Sequence, residues 1–177
     1  IKAGEAKHIK SKKVIVYKNV SLEVLGIPVA YSPIFYNPDP SVKRKTGLLQ
    51  PRFGSSSIFG STFKQPIYFA SSKNKDFTLT PKFTSKEGVV LDGVYRNISK
   101  TGESLISGSI THGTKIRENE PSKKVPRGHL DIRTSHKYSE DWTLGTDISR
   151  SSDTSYLSKY GFGRGGNVLT QNVFAEK

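Results

Sequence analysis

The sequence predicts an all-β protein, and three observations predict it. Apolar residues alternate with polar ones at a period of two along most of the chain. Clusters of Gly, Asn, Asp, Ser and Lys separate the alternating runs at hairpin spacing. Helical periodicity is absent throughout. The composition fits: of 177 residues 33% are hydrophobic, yet 10% are aromatic, too many for a disordered chain. A sheet with one apolar and one polar face has this composition.

The first block is KKVIVYKNVSLEVLGIPVAY, Lys12 to Tyr31. Val14 and Val16 alternate with Ile15 and Tyr17, and Val20, Leu22 and Val24 alternate with Ser21 and Glu23. The β-branched run and Pro28 argue against a helix. Gly26-Ile27-Pro28 marks a bend before the strand resumes at Val29. This is a strand-turn-strand unit with one greasy face, as in a β-sandwich or jelly roll. The next stretch, SPIFYNPDPSVKRKT, carries Pro33, Pro38 and Pro40, which interrupt pairing, and the basic run Lys43-Arg44-Lys45. It reads as a stiff, extended linker. The predicted organisation is a strand unit at 1–34, a Pro-rich linker at 35–46 hinged around Pro38, Asp39 and Pro40, and a second strand region at 47–177.

From Gly47 onward the pattern is one of hairpins. Strands are predicted near Gly47–Phe53, Ile58–Phe69, Phe77–Thr84, Val89–Ile98, Ser104–His112, His129–Tyr138, Trp142–Arg150 and Asn167–Ala175. Pro51, Pro66 and Pro81 recur at one spacing, each inside one of the first three runs. A proline has no N–H to give to a ladder and belongs at edges, strand starts or bulges. Three consecutive strands with one each suggest a region that pairs weakly.

The faces are distinct. Phe77, Leu79 and Phe83 oppose Thr78, Thr80, Lys82 and Thr84; Leu130 and Ile132 oppose Asp131 and Arg133; Trp142, Leu144 and Ile148 oppose Thr143, Gly145 and Asp147. Transmembrane barrels alternate this way over about ten residues per strand. A soluble sheet with one wet face does so too. Loop lengths favour the barrel. The connections SSKNKD, SKTGE and YSED are short, whereas Gly113–Arg127 and Ser151–Gly166 are long. Outer-membrane barrels show this asymmetry, with short periplasmic turns. Tyr68, Phe69, Phe77, Tyr138 and Trp142 then gather beside the short turns, where an aromatic girdle belongs.

Net charge is +13, from 28 Lys+Arg against 15 Asp+Glu, which suits an anionic partner: nucleic acid, anionic lipid or a phosphorylated glycolipid. Nucleic acid is disfavoured, because no strand pairs stacked aromatics with a basic face. There is no Cys and no run of about 18 apolar residues. The chain opens on Ile1-Lys2-Ala3, directly before strand-like sequence, and is expected to be a piece of something longer. Gly161-Phe-Gly163-Arg-Gly165-Gly166 contains G-x-G-x-x-G, but lacks the strand before and helix after that a dinucleotide site needs. His8, His112, His129 and His136 have no metal-ligand spacing. Gly54-Ser55-Ser56-Ser57 lacks the context of a nucleophile elbow. The expectation is therefore no enzyme, no cofactor and no metal.

KNVSLEVLGIPVAYSPIFYNPDPSVKRKTGLLQPRFGSS, with KQPIYF, LTPKF, SKEGVVLDGVYR and DTSYLSKYGF further on, resembles the junction region of the LPS-assembly outer-membrane protein family LptD (OstA/Imp). The resemblance implies the C-terminal end of a periplasmic β-jelly roll followed by the N-terminal antiparallel strands of a large transmembrane β-barrel. It implies a lipopolysaccharide translocon in the Gram-negative outer membrane, with the N-terminal part in the periplasm. Partners implied are lipopolysaccharide, the plug lipoprotein LptE, the bridge protein LptA and the barrel assembly machinery. Pro51 and Pro66 match the family's lateral-gate prolines, while Pro81 is expected only to shape the local sheet. Val14, Val16, Val20, Leu22 and Val24 would line an acyl-chain path. Lys43, Arg44 and Lys45 would meet phosphates or sugars. The family's Cys residues fall outside this segment or are absent. The competing reading is a generic porin-like channel.

Overall fold

The β-branched and aromatic runs of the sequence form strands throughout the computed structural model, which describes residues 2–24, 27–42, 44–117, 120–162 and 169–177. The chain divides into two units, Ile1–Lys45 and Thr46–Lys177.

The first unit is a three-stranded antiparallel sheet in the order β1 (Lys2–Ile9), β2 (Val14–Val24), β3 (Ile27–Pro38). A tight turn joins β1 to β2, with Lys13 in the left-handed region at φ 49°. Residues paired across strands share a face. Val14, Val16 and Val20 therefore lie together on one face, beside Ile9, Lys7 and Ala3 of β1. Tyr17 is on the other face and meets Phe35 with ring centroids 6.3 Å apart. Strand pairing continues through Pro38, opposite Val14, so residues 35–38 of the expected linker are part of β3. The prolines are tolerated because β3 has a single neighbour among the described residues, and an edge strand leaves one set of N–H positions without a ladder partner.

The second unit is one antiparallel sheet. Its strands are β4 (Gly47–Leu48), β5 (Arg52–Ser56), β6 (Gly60–Lys64), β7 (Ile67–Ala70), β8 (Lys75–Thr84), β9 (Gly88–Ile98), β10 (Gly102–Arg117), β11 (Glu120–Lys137), β12 (Thr143–Ser151) and β13 (Gln171–Glu176). Each pairs with its neighbour in chain order, except that β5 pairs with β6 while β4 pairs with β7, and both β6 and β7 pair with β8. β4 and β5 are thus two halves of one broken strand, as are β6 and β7. Ten strands fill eight positions in the wall.

Two expectations change. Gly113–Arg127, predicted as a long loop, is a β-hairpin: β10 and β11 stay in register from Glu103↔Ser135 through Lys115↔Lys123 and re-pair after a bulge at Arg117↔Glu120. The ladder passes Pro126 without losing register, with Pro126 opposite His112. Helical periodicity was expected nowhere, yet α1 (Tyr156–Tyr160) lies between β12 and β13. A five-residue helix is too short to show a period. It ends at Gly161, whose φ of 72° is the left-handed conformation a helix C-terminus favours. Gly163, Gly165 and Gly166 lie outside the described residues.

The register separates two faces. Thr78, Val94, Ser107, Asp131 and Ser149 form one cross-strand row on the polar face. Phe77, Tyr95, Ile106, Ile132 and Ile148 form a row on the opposite face. The buried apolar cluster of this unit, Phe59, Val90, Tyr156, Leu157 and Tyr160, includes Val90, which shares the polar face with Lys82 and Thr111. The apolar face is left uncovered: Phe53 is 73% exposed and Ile110 59%.

Candidate functional site: the proline break and the polar face

Pro51 separates β4 from β5, and Pro66 separates β6 from β7, whereas β8 runs unbroken through Pro81. Leu48 pairs with Ile67 and Arg52 with Lys64. Residues 49–51 therefore face residues 65–66, one more against one fewer, which is a bulge. On the far side Lys64↔Lys82 and Ile67↔Leu79 keep step, so Gln65 stands opposite Pro81 and Pro66 opposite Thr80. The three prolines thus meet at one height across the first three wall positions. Two backbone bonds hold this zone: the Leu49 N–H donates to the Pro66 carbonyl at 2.9 Å, and the Gln65 N–H to the Pro81 carbonyl at 3.1 Å.

Of the residues expected around the linker, Pro38 ends β3. The Asp39 N–H donates to the Lys13 carbonyl at 3.0 Å. Its carboxylate accepts from the Ser41 N–H at 2.7 Å and pairs with His8. The bonds from Ser41 hold that carboxyl below its ordinary range, against a smaller opposing effect of burial. Pro40 is exposed. Asp39 and Pro40 are thus tied into a turn against β1 and β2. Of the basic run, Lys45 Nζ donates to the Lys12 and Lys13 carbonyls at 3.4 and 3.5 Å, Arg44 is exposed, and Lys43 lies outside the described residues.

Among the acyl-path candidates Val20 is buried and Val14 and Val16 are half-buried. The side chains of Leu22 and Val24 lie outside the described set. Lys18 shares the face of Val16 and Val20 and pairs with Glu5 at 3.0 Å, so that face is not wholly apolar. Of the aromatics near the short turns, Phe69 and Phe77 stack at 6.0 Å on the apolar face. Tyr68 departs from the girdle: it shares the polar face with Thr78 and donates to Asp76 at 3.4 Å.

The polar face carries a network that sequence reasoning did not find. Arg127 on β11 grips Asp153 through two bonds, Nε to Oδ2 at 2.9 Å and Nη2 to Oδ1 at 2.7 Å. Their side chains are 1% and 10% exposed. Arg127 Nη1 also donates to the Thr114 carbonyl at 2.7 Å. Glu87, in the β8–β9 turn, accepts from Lys159 at 3.0 Å, from Tyr160 at 3.2 Å and from the Thr114 N–H at 2.8 Å. Ser109 bonds both His129 Nδ1 at 2.7 Å and the Tyr156 hydroxyl at 2.6 Å. The segment after β12 is thereby folded back onto the wall and pinned by buried, paired charges. The Arg127 guanidinium holds the Asp153 carboxyl far below the carboxylate range, against burial. Burial opposes ionisation of Glu87, but the Thr114 N–H, Lys159 and Tyr160 outweigh it and lower its pKa. Burial, with Glu87 alongside, pushes the Tyr160 phenol up to about 12. DTSYLSKYGF was the one sequence signal, quoted for its resemblance and not for these contacts. Among the described residues no three His, Asp or Glu side chains gather as a metal cluster would.

These features define a class: an all-β protein whose larger unit is an inside-out antiparallel wall, apolar where it is uncovered and polar where it is packed. No family model matches the chain. Among curated relatives it is 34% identical over 139 residues to the LPS-assembly protein LptD of Pasteurella multocida. It is 32% identical over 139 residues to that of Actinobacillus pleuropneumoniae and 36% over 143 residues to that of Marinobacter nauticus. These alignments cover 78–80% of the chain but only 17–18% of each relative. The chain is a homologue of one segment of LPS-assembly protein LptD.

Proposed function

We propose that the chain is part of an outer-membrane lipopolysaccharide translocon. Thr46–Lys177 forms the first strands of a large barrel wall, and Ile1–Lys45 the end of a periplasmic jelly roll that delivers lipid to it. The observation that carries this reading is the inverted wall. Its apolar face is uncovered, while its packed cluster and ion pairs lie on the polar face. A water-soluble sheet buries the first and wets the second. A barrel wall in a bilayer does the reverse. The LptD relatives supply the cargo, lipopolysaccharide. LptE within the lumen, LptA upstream and the barrel assembly machinery are the partners such a role requires.

The proline break is the proposed lateral exit. Parting strands in a bilayer exposes backbone groups, at a cost of several kcal/mol for each one left unpaired. Pro51 and Pro66 remove two donors in advance, so the first strand parts at lower cost. Val14, Val16, Val20, Leu22 and Val24 guide acyl chains, and the turn of Pro38, Asp39 and Pro40 closes the sheet of the first unit ahead of the basic run. Lys43, Arg44 and Lys45 meet headgroup phosphates. A photo-crosslinker at Val16 in the full-length protein tests the path: capture of lipopolysaccharide during transport supports it, and its absence under conditions of active transport contradicts it.

A further inference from the structure

We propose that Gln65 is a positioning residue of the wall, its side-chain amide supplying the hydrogen bond that Pro66 removes between the first two strands. Leu49 and Pro66 stand opposite each other at a position where antiparallel residues exchange two backbone bonds. One forms: the Leu49 N–H donates to the Pro66 carbonyl at 2.9 Å. The reciprocal bond cannot, because Pro66 has no N–H. Gln65 Nε2 fills the vacancy, donating to the Leu49 carbonyl at 2.8 Å and to the Pro66 carbonyl at 3.2 Å. An amide nitrogen has two hydrogens, and both find acceptors.

The placement of Gln65 strengthens the argument. By register it shares the apolar face with Pro81, Leu91 and Ile110. A primary amide in an apolar band is costly unless its donors are paired. The rest of the first strand is attached by two short ladders, Gly47–Leu48 with Ile67–Tyr68 and Arg52–Ser56 with Gly60–Lys64. Gln65 clasps the gap between them. Its loss would loosen the β4 half and leave the β5 half in place. The consequence for lipid release rests on the gate reading above; the bond itself does not.

The test uses the full-length protein with Gln65→Met, which keeps the length of the side chain and loses the donor. Gln65→Asn, one methylene too short, is the second variant. Amide hydrogen exchange at Gly47 and Leu49, whose N–H groups face β7, should rise about tenfold in both variants, as loss of one such bond predicts, with Arg52–Ser56 unchanged. In a Pro66→Ala background the backbone donor returns, so Gln65→Met should then have no effect. Unchanged exchange at Leu49 in the Pro66 protein, or the same loosening in the Pro66→Ala background, overturns the proposal. Surface delivery of lipopolysaccharide is read in parallel. If exchange shifts as expected and delivery does not, the clasp stands and the gate reading fails. If delivery shifts without exchange, the clasp falls.

Discussion

At the scale of single residues, the energetics concentrate in the pinned segment after β12. Arg127 is 1% exposed and its charge is matched by Asp153. Removing one partner of a buried pair costs roughly 3–5 kcal/mol. Asp153→Asn should therefore release α1, seen as loss of amide protection at Tyr156–Tyr160 while the strands stay protected. The pH dependence follows from the shifts. Asp153 and Glu87 titrate below their ordinary values, so their contribution is full above about pH 4.5 and lost as pH falls through the depressed values. Tyr160 is raised to about 12, so its neutral form is favoured by the fold; that contribution is full below about pH 10 and lost as pH rises through the raised value. Protection of α1 should hold between these limits and fall on both sides. Gly113 supplies a steric test. A Cβ there would collide with the Tyr160 hydroxyl, so Gly113→Val should expel Tyr160 and lower the same protection. None of this was legible in the sequence. Glu87 and Tyr160 are 73 residues apart, and only the register of β8 to β12 brings them together.

At the scale of elements, much of the wall was legible. Alternation assigned Phe77, Leu79 and Phe83 to one face and Thr78, Thr80 and Lys82 to the other, as the register has them. The period-two signal is strong in β8 because the residues of that face from Phe77 to Phe83 are all apolar. The breaks were half legible. Pro51 and Pro66 marked weak pairing, but Gly47–Phe53 and Ile58–Phe69 were read as continuous strands. A proline announces a missing donor without saying whether the ladder bulges, stops or recruits a side chain. Pro81 shows the difference: β8 stays whole, paired with β9 without a gap from Lys75 to Thr84, Pro81 standing opposite Leu91. Replacing Pro51 and Pro66 together by Ala restores two backbone donors, the one at 66 taking over the Leu49 carbonyl that Gln65 Nε2 now serves, for a gain of about 1 kcal/mol net. Amide exchange across residues 47–52 should slow, and surface delivery of lipopolysaccharide should slow with it. Delivery at the parental rate would show that the break is not the exit.

At the scale of the whole molecule, charge placement tests which face of the wall lies in apolar surroundings, and lipid access tests whether those surroundings are a membrane. Ile106→Lys on the apolar face, opposite Tyr95 near the middle of β9, should cost about 2–4 kcal/mol. Thr80→Lys, on the polar face with Asp92, should be tolerated; heat-induced unfolding of the reconstituted protein measures both. Register within one strand gives the sharpest contrast. Nitroxide labels placed singly at Leu130, Asp131, Ile132 and Arg133 of β11, in the full-length protein in bilayers, report access to oxygen dissolved in lipid and to a nickel chelate dissolved in water. Leu130 and Ile132 should be lipid-accessible and Asp131 and Arg133 water-accessible, alternating residue by residue. Loss of that alternation, or its reversal, would contradict the assignment of the apolar face to the membrane.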